Sequence, residues 1–261
     1  TEVQGKKVHY REWGSGNKLL LALHGWPADS THYAELGPIL AQASFRVIVP
    51  DLPGWGETPA PASAWGVSDY RRWVHDFTAA LHLSDFFLFG HSFGGRVAIK
   101  YTLEHPYDVS GLILCAAAGI RPNPYTLKRR LLKFTAVVGK TVFSLPLLRR
   151  LRPLAQRFLY RAAGSSDYLQ AEGVMKETIV KVLQEDLTPL LPELKRPTLI
   201  LWGSEDGATP LRDGELMAKQ IPQSTMHVFA GARHNLPKLL PKAVAEQIIS
   251  FTASELVSYI E

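Results

Sequence analysis

The chain has 261 residues, 46% of them apolar and 20% charged, and a net charge of +5 at neutral pH. That is enough apolar material for one sizeable core, and it excludes global disorder. A single cysteine, Cys115, excludes an internal disulfide and a cysteine-based zinc site, and no uncharged apolar run reaches the ~18 residues of a membrane span.

Thr1–Trp13 is polar and lacks the apolar stretch of a signal peptide, so a cytoplasmic location is expected. A Gly5-Lys6-Lys7 turn predicts a hairpin on a sheet edge. Short continuous apolar runs follow at Leu19–Leu23, Phe45–Val49, Phe86–Phe89, Leu112–Ala116 and Thr198–Trp202. Runs without period-2 alternation fit strands buried on both faces of a mainly parallel sheet. Between them, helices are predicted near Tyr33–Gln42, Ser68–Leu81, Gly94–His105, Leu211–Gln220 and Ala243–Leu256, with Ser68 and Asp69 as an N-cap. This alternation predicts an α/β doubly wound sheet.

The pattern breaks after Gly119. From Arg121 to about Glu193 the chain is leucine-rich and helix-compatible, cut by Pro122, Pro124, Pro146, Pro153, Pro189 and Pro192, which predicts several short helices. Arg121–Arg161 holds eleven Lys or Arg and no acid, so the remainder of the chain sums to −6 once these are taken from +5. A solvated helix face is the simpler reading of that segment, ahead of a nucleic-acid or anionic-lipid site. The organisation is then a core, 1–120 and 196–261, and a helical cap, 121–195.

The strongest chemical signal is Phe86–Phe89 running into Gly90-His91-Ser92-Phe93-Gly94 and a helix. A serine at a sharp strand-to-helix turn projects its hydroxyl beyond the sheet, and the flanking glycines let strand and helix approach. A serine hydroxyl needs a base, and the base needs an orienting acid. Asp206 stands after the apolar run Leu199–Trp202, and His234 stands in the loop after Met226–Phe229. Glu205 and Asp213 are alternative acids, and Ala117-Ala118-Gly119, after another strand, offers none. His91 points away from its neighbour at a turn and reads as structural, as do His9, His32, His75, His82, His105 and His227. No His/Asp/Glu grouping has metal-ligand spacing. The backbone N–H of Phe93, opening the helix, and that of Trp26, in His24-Gly25-Trp26-Pro27, are the candidate oxyanion donors, since Pro27 has no N–H. Asp51-Leu52-Pro53-Gly54-Trp55-Gly56 reads as a structural turn.

Over essentially its full length the chain resembles the α/β-hydrolase superfamily, through His24–Pro27, Asp51–Gly56, Gly90–Gly95, Gly203–Asp206 and Gly231–His234. The resemblance implies a core of about eight strands, a helical cap after the sixth, and the chain order Ser92, Asp206, His234 for nucleophile, acid and base. The His-Gly-Trp-Pro loop is similar to that of epoxide hydrolases and haloalkane dehalogenases. Those use an aspartate nucleophile, whereas position 92 is serine. Arg233 stands where relatives usually carry glycine. The function expected is a serine hydrolase of small to medium, partly apolar carboxylic esters, working through an acyl-enzyme without cofactor or metal. Its partner is the small-molecule ester, with no nucleic acid or membrane surface. The same three residues also serve carbon–carbon hydrolysis of vinylogous diketones, perhydrolase or haloperoxidase-like chemistry, or a slow-turnover ligand receptor.

Overall fold

The computed structural model describes residues 1–121 and 171–258. Strands β1 (Glu2–Val3) and β2 (Lys6–Lys7) make a small hairpin. Seven further strands form one sheet: β3 (Tyr10–Trp13), β4 (Lys18–Leu23), β5 (Phe45–Pro50), β6 (Phe86–His91), β7 (Val109–Cys115), β8 (Thr198–Gly203) and β9 (Ser224–Phe229). Their order is β3-β5-β4-β6-β7-β8-β9, with β3 antiparallel at the edge and every other pair parallel. The sheet therefore has seven strands among the described residues, not eight. The terminal hairpin pairs only with itself, because Gln4 and Gly5, both at positive φ, turn the chain back after two residues.

The helices are α1 (Leu36–Gln42), α2 (Val67–Ala80), α3 (Phe93–Glu104), α4 (Gly173–Gln184), α5 (Leu211–Gln220), α6 (Leu236–Leu239) and α7 (Pro241–Ser258). The N-cap of α2 differs from the expected one. Gly66 caps it, and Asp69, at the third helical position, reaches back to accept the Gly66 N–H at 2.9 Å. The cap segment expected over 121–195 falls largely outside the described residues, as does the basic run from 122 onward. Its described part holds α4 and a 3-10 stretch, Thr188–Glu193.

The unbroken apolar runs have a simple cause. Along each central strand, alternate residues enter opposite cores. Leu21, Leu23, Phe86, Leu88, Leu112, Leu114, Ile200 and Trp202 pack with Val74, Phe77, Val97 and Met217 from α2, α3 and α5. Leu20, Ala22, Phe87, Phe89, Ile113, Leu199 and Leu201 pack with Leu36, Leu40, Val244 and Ile248 from α1 and α7. Each fully buried Leu or Phe contributes about 1.5–3 kcal/mol of transfer free energy, so both layers hold the sheet rigid. The parallel strands all end on one edge, where ligands of open α/β sheets bind.

Candidate active site

Four of the parallel strands deliver the candidate residues to that edge. Trp26 follows β4, Ser92 follows β6, Asp206 follows β8 and His234 follows β9. Ser92 is the turn between β6 and α3, at φ 52° and ψ −113°. A side chain in that region is strained, by roughly 1–3 kcal/mol, and persists only where its surroundings over-determine it. They do so here. The Ser92 N–H donates to the Cys115 carbonyl at 3.1 Å, and the Ser92 carbonyl accepts from Gly95 at 3.0 Å and Ala118 at 2.8 Å. Gly94 lies so close to β4 that a Cβ there would overlap the carbonyl oxygen of Leu23. The elbow is pressed into the sheet from both sides.

The three side chains meet. His234 Nε2 is 2.9 Å from Ser92 Oγ, and His234 Nδ1 is 2.8 Å from Asp206 Oδ2. The carboxylate can only accept, so Nδ1 carries the proton and Nε2 faces the hydroxyl as a base. The Asp206 side chain is fully buried. Burial pushes its pKa up, but bonds from His234 and from the Thr209 and Ala208 N–H groups outweigh this, and it lies below the ordinary value. The alternative acids stand elsewhere: Glu205 is exposed, and Asp213 lies 3.7 Å from Arg212 in the first turn of α5.

Two residues of this arrangement were given no role of their own from the sequence. Thr209 is buried, and its Oγ lies 2.9 Å from Asp206 Oδ2, 3.2 Å from His234 Nδ1 and 3.1 Å from the Ala116 carbonyl. Its backbone N–H also donates to Asp206 Oδ1, at 2.9 Å. The available signal was Asp206-Gly207-Ala208-Thr209, an aspartate able to accept from N–H groups two and three residues on. His24 is the other. Its Nδ1–H donates to the Gly25 carbonyl and its Nε2 accepts the Leu52 N–H, both at 2.9 Å. This ties the Gly25-Trp26-Pro27 loop to the turn after β5. Asp51 braces the same turn, accepting from Ser30 N–H at 2.8 Å, His9 Nδ1 at 2.8 Å and Glu57 N–H at 3.0 Å.

His91 bridges elbow and base loop, donating from Nε2 to the His234 carbonyl at 3.0 Å. Gly25 is required beside it, since a Cβ there would come within 2.9 Å of His91 Nδ1 and 3.1 Å of Ser92 Cβ. Phe93 opens α3, so its N–H is one of the helix's free donors. The Trp26 ring packs edge-on against Phe93, with centroids 5.6 Å apart, which sets the loop over that helix end. Trp55 lies 4.2 Å from Trp26, and Tyr70 lies 5.0 Å from Phe93, both edge-on. The result is an aromatic cluster around Phe93, the residue after Ser92. Met175 of α4 rests on Gly54, bringing the described part of the cap segment to the turn that carries Trp55.

The two buried imidazoles carry a pH dependence. Burial chiefly lowers His24 to about 4, and burial followed by the neighbouring His234 lowers His91 to about 3. In the unfolded chain both titrate near 6.5. Their folded values are depressed, so their stabilisation is complete above about pH 6.5 and is lost as pH falls toward the folded values. Each proton taken up only on unfolding gives a slope of about 1.4 kcal/mol per pH unit. Urea unfolding between pH 6.5 and 4.5 is expected to show that slope, and His24→Asn to flatten it by about one proton. An unchanged slope in the variant would show that His24 is not the buried neutral group.

A family model for the alpha/beta hydrolase fold matches residues 18–238. A 2-hydroxy-6-oxononadienedioate/2-hydroxy-6-oxononatrienedioate hydrolase of Burkholderia vietnamiensis is 27% identical over 247 residues, covering 87% of this chain and 84% of its own. Among solved structures, an esterase from Exiguobacterium antarcticum superposes with a TM-score of 0.73 at 26% identity, covering 95% of this chain and 97% of that one. A bacterial membrane phospholipase A shares the fold, with a TM-score of 0.76 at 24% identity, covering 98% of this chain and 85% of that one.

Proposed function

We propose that this chain, which belongs to the α/β-hydrolase family, is a serine hydrolase that cleaves carboxylic esters of small to medium, partly apolar substrates. The unbroken hydrogen-bonded chain from Ser92 Oγ through His234 to the buried Asp206 carries the proposal. Ser92 Oγ attacks the ester carbonyl carbon while His234 Nε2 takes its proton. The carbonyl oxygen becomes an oxyanion that the Phe93 and Trp26 N–H groups receive. Asp206 keeps the imidazole in the required tautomer and balances its cation. The carbon–oxygen bond to the alcohol then breaks, the alcohol leaves with the proton from His234, and an acyl-enzyme remains. Water, deprotonated by His234, attacks this ester and releases the acid and Ser92. The aromatic cluster of Trp26, Trp55 and Phe93 supports apolar acyl or alcohol groups.

A second reading is favoured by one observation. The Burkholderia relative is named for a dienedioate, a doubly charged substrate, and the cationic run of this chain supplies charges that could pair with carboxylates. Salt separates the two readings. Exposed charges more than about 10 Å apart are screened at 0.1 M salt. Steady turnover of neutral p-nitrophenyl esters, nearly flat between 20 and 200 mM salt, is expected. If instead a ring-cleavage dienedioate is turned over much faster than every ester, with an affinity that weakens as salt rises, carbon–carbon hydrolysis replaces the ester reading. A single burst without turnover on any substrate would indicate a receptor.

A further inference from the structure

At the far end of α3 from Ser92, the fold assembles a second group of chemistry-bearing side chains. His75 comes from α2, His105 follows the last residue of α3, and Asp108 ends the 3-10 turn leading into β7. His105 and Asp108 stand close in sequence and His75 far from both, yet one ligand-capable atom of each lies within 4.8 Å of the others. The two imidazoles stack with centroids 4.2 Å apart and planes at 6°. Nδ1 of His75 is buried and has no hydrogen-bond partner. A buried polar nitrogen left in that state is rare and calls for an explanation. The Asp108 carboxylate is oriented by the Tyr101 hydroxyl, which donates to Oδ2 at 3.0 Å. Ligating carboxylates commonly have such outer support.

We propose that His75, His105 and Asp108 bind one divalent transition cation of the zinc, nickel and copper class, which cross-links α2 to the end of α3. Two imidazoles and one carboxylate are the donor set such ions favour, whereas magnesium and calcium take oxygen ligands. Metal–ligand bonds of about 2.0–2.2 Å require the three donor atoms, within 4.8 Å of one another, to close on the ion, so the parallel stack of the two rings opens as it binds. Arg71 opposes the ion. Arg71 Nη1 lies 3.4 Å from His105 Nε2, and Arg71 Nη2 is 2.8 Å from Glu104. Entry of the metal turns Arg71 fully onto Glu104, which limits the affinity. The twelve residues of α3 set the site roughly 18 Å from Ser92, so the ion takes no part in ester cleavage.

Calorimetric titration of the metal-free protein with zinc chloride tests the proposal. One equivalent binds, and the melting temperature rises with zinc concentration, as it must when a ligand binds only the folded state. His75→Gln and Asp108→Asn each weaken binding at least tenfold, and Arg71→Gln tightens it severalfold. Metal-free melting curves establish that each variant is folded, and His105→Gln replaces either ligand variant that is not. The proposal is overturned if the wild-type chain shows no saturable binding, if the ligand variants keep wild-type affinity, or if Arg71→Gln binds no more tightly than wild type.

Discussion

On the proposed ester mechanism, Ser92→Ala is expected to lower kcat on a neutral ester by about four to six orders of magnitude, because no hydroxyl then stands at His234 Nε2. The fold survives, since alanine keeps the β-carbon and the backbone bonds to Cys115, Gly95 and Ala118 remain. A second substitution separates strain from chemistry. At φ 52° and ψ −113° a β-carbon is unfavourable. Ser92→Gly is therefore expected to be as inactive as Ser92→Ala, yet more stable than the wild type by about 1 kcal/mol, since glycine removes that strain. Chemical denaturation read beside ester turnover checks both. A Ser92→Ala enzyme with more than a few percent of wild-type turnover would remove Ser92 from the mechanism.

Asp206→Asn is expected to lower kcat by about three to four orders of magnitude with little change in KM. An amide can present its NH2 to His234 Nδ1, which moves the ring proton to Nε2 and leaves no lone pair for the serine proton. The Ala208 and Thr209 N–H groups and the Thr209 hydroxyl donate to the wild-type carboxylate and keep it ionised, so that toward His234 it can only accept. Its depressed folded value means that its stabilisation is complete above the ordinary carboxylate value, near 3.9, and is lost only as pH falls through the lower folded value. The Asp206 charge is thus present across the neutral range. Glu205→Gln, at an exposed neighbour, should change kcat less than threefold. A larger loss from Glu205→Gln than from Asp206→Asn would reassign the acid.

The sheet was legible because strands buried on both faces need apolar residues at every position. Phe86–Phe89 and Thr198–Trp202 state that directly, and the observed strands extend those runs by one or two residues. Ser92, Asp206 and His234 were legible for a related reason, since each follows a strand and parallel strands share one edge. The strand count was less so. The terminal hairpin needs only two residues per arm, and no pattern says whether such a pair joins the larger sheet. The helix predicted over Tyr33–Gln42 splits into the 3-10 turn Ser30–Tyr33 and α1, because Asp29 caps the first and the chain turns again before Leu36. The roles of Thr209 and His24 escaped because they depend on partners that follow other strands, Ala116 after β7 and Leu52 after β5. His75 and His105 escaped for the same reason. Pairings between helices leave no period in the sequence.

The segment expected to form the cap lies between β7 and β8 and divides the candidate residues into two separable hands. Ser92 and the candidate oxyanion donors Trp26 and Phe93 lie before it, and both Asp206 and His234 lie after it. The halves meet through the parallel β7–β8 ladder, Leu112 against Thr198 to Cys115 against Leu201, and through the buried side chains on its two faces. A polypeptide cut between Arg121 and Ala171 would therefore yield two fragments, neither of which holds the complete set. On the proposed function, cleavage of a chromogenic ester would return only when the two fragments reassemble. Fused to a pair of interacting proteins, they would turn association into a colour change.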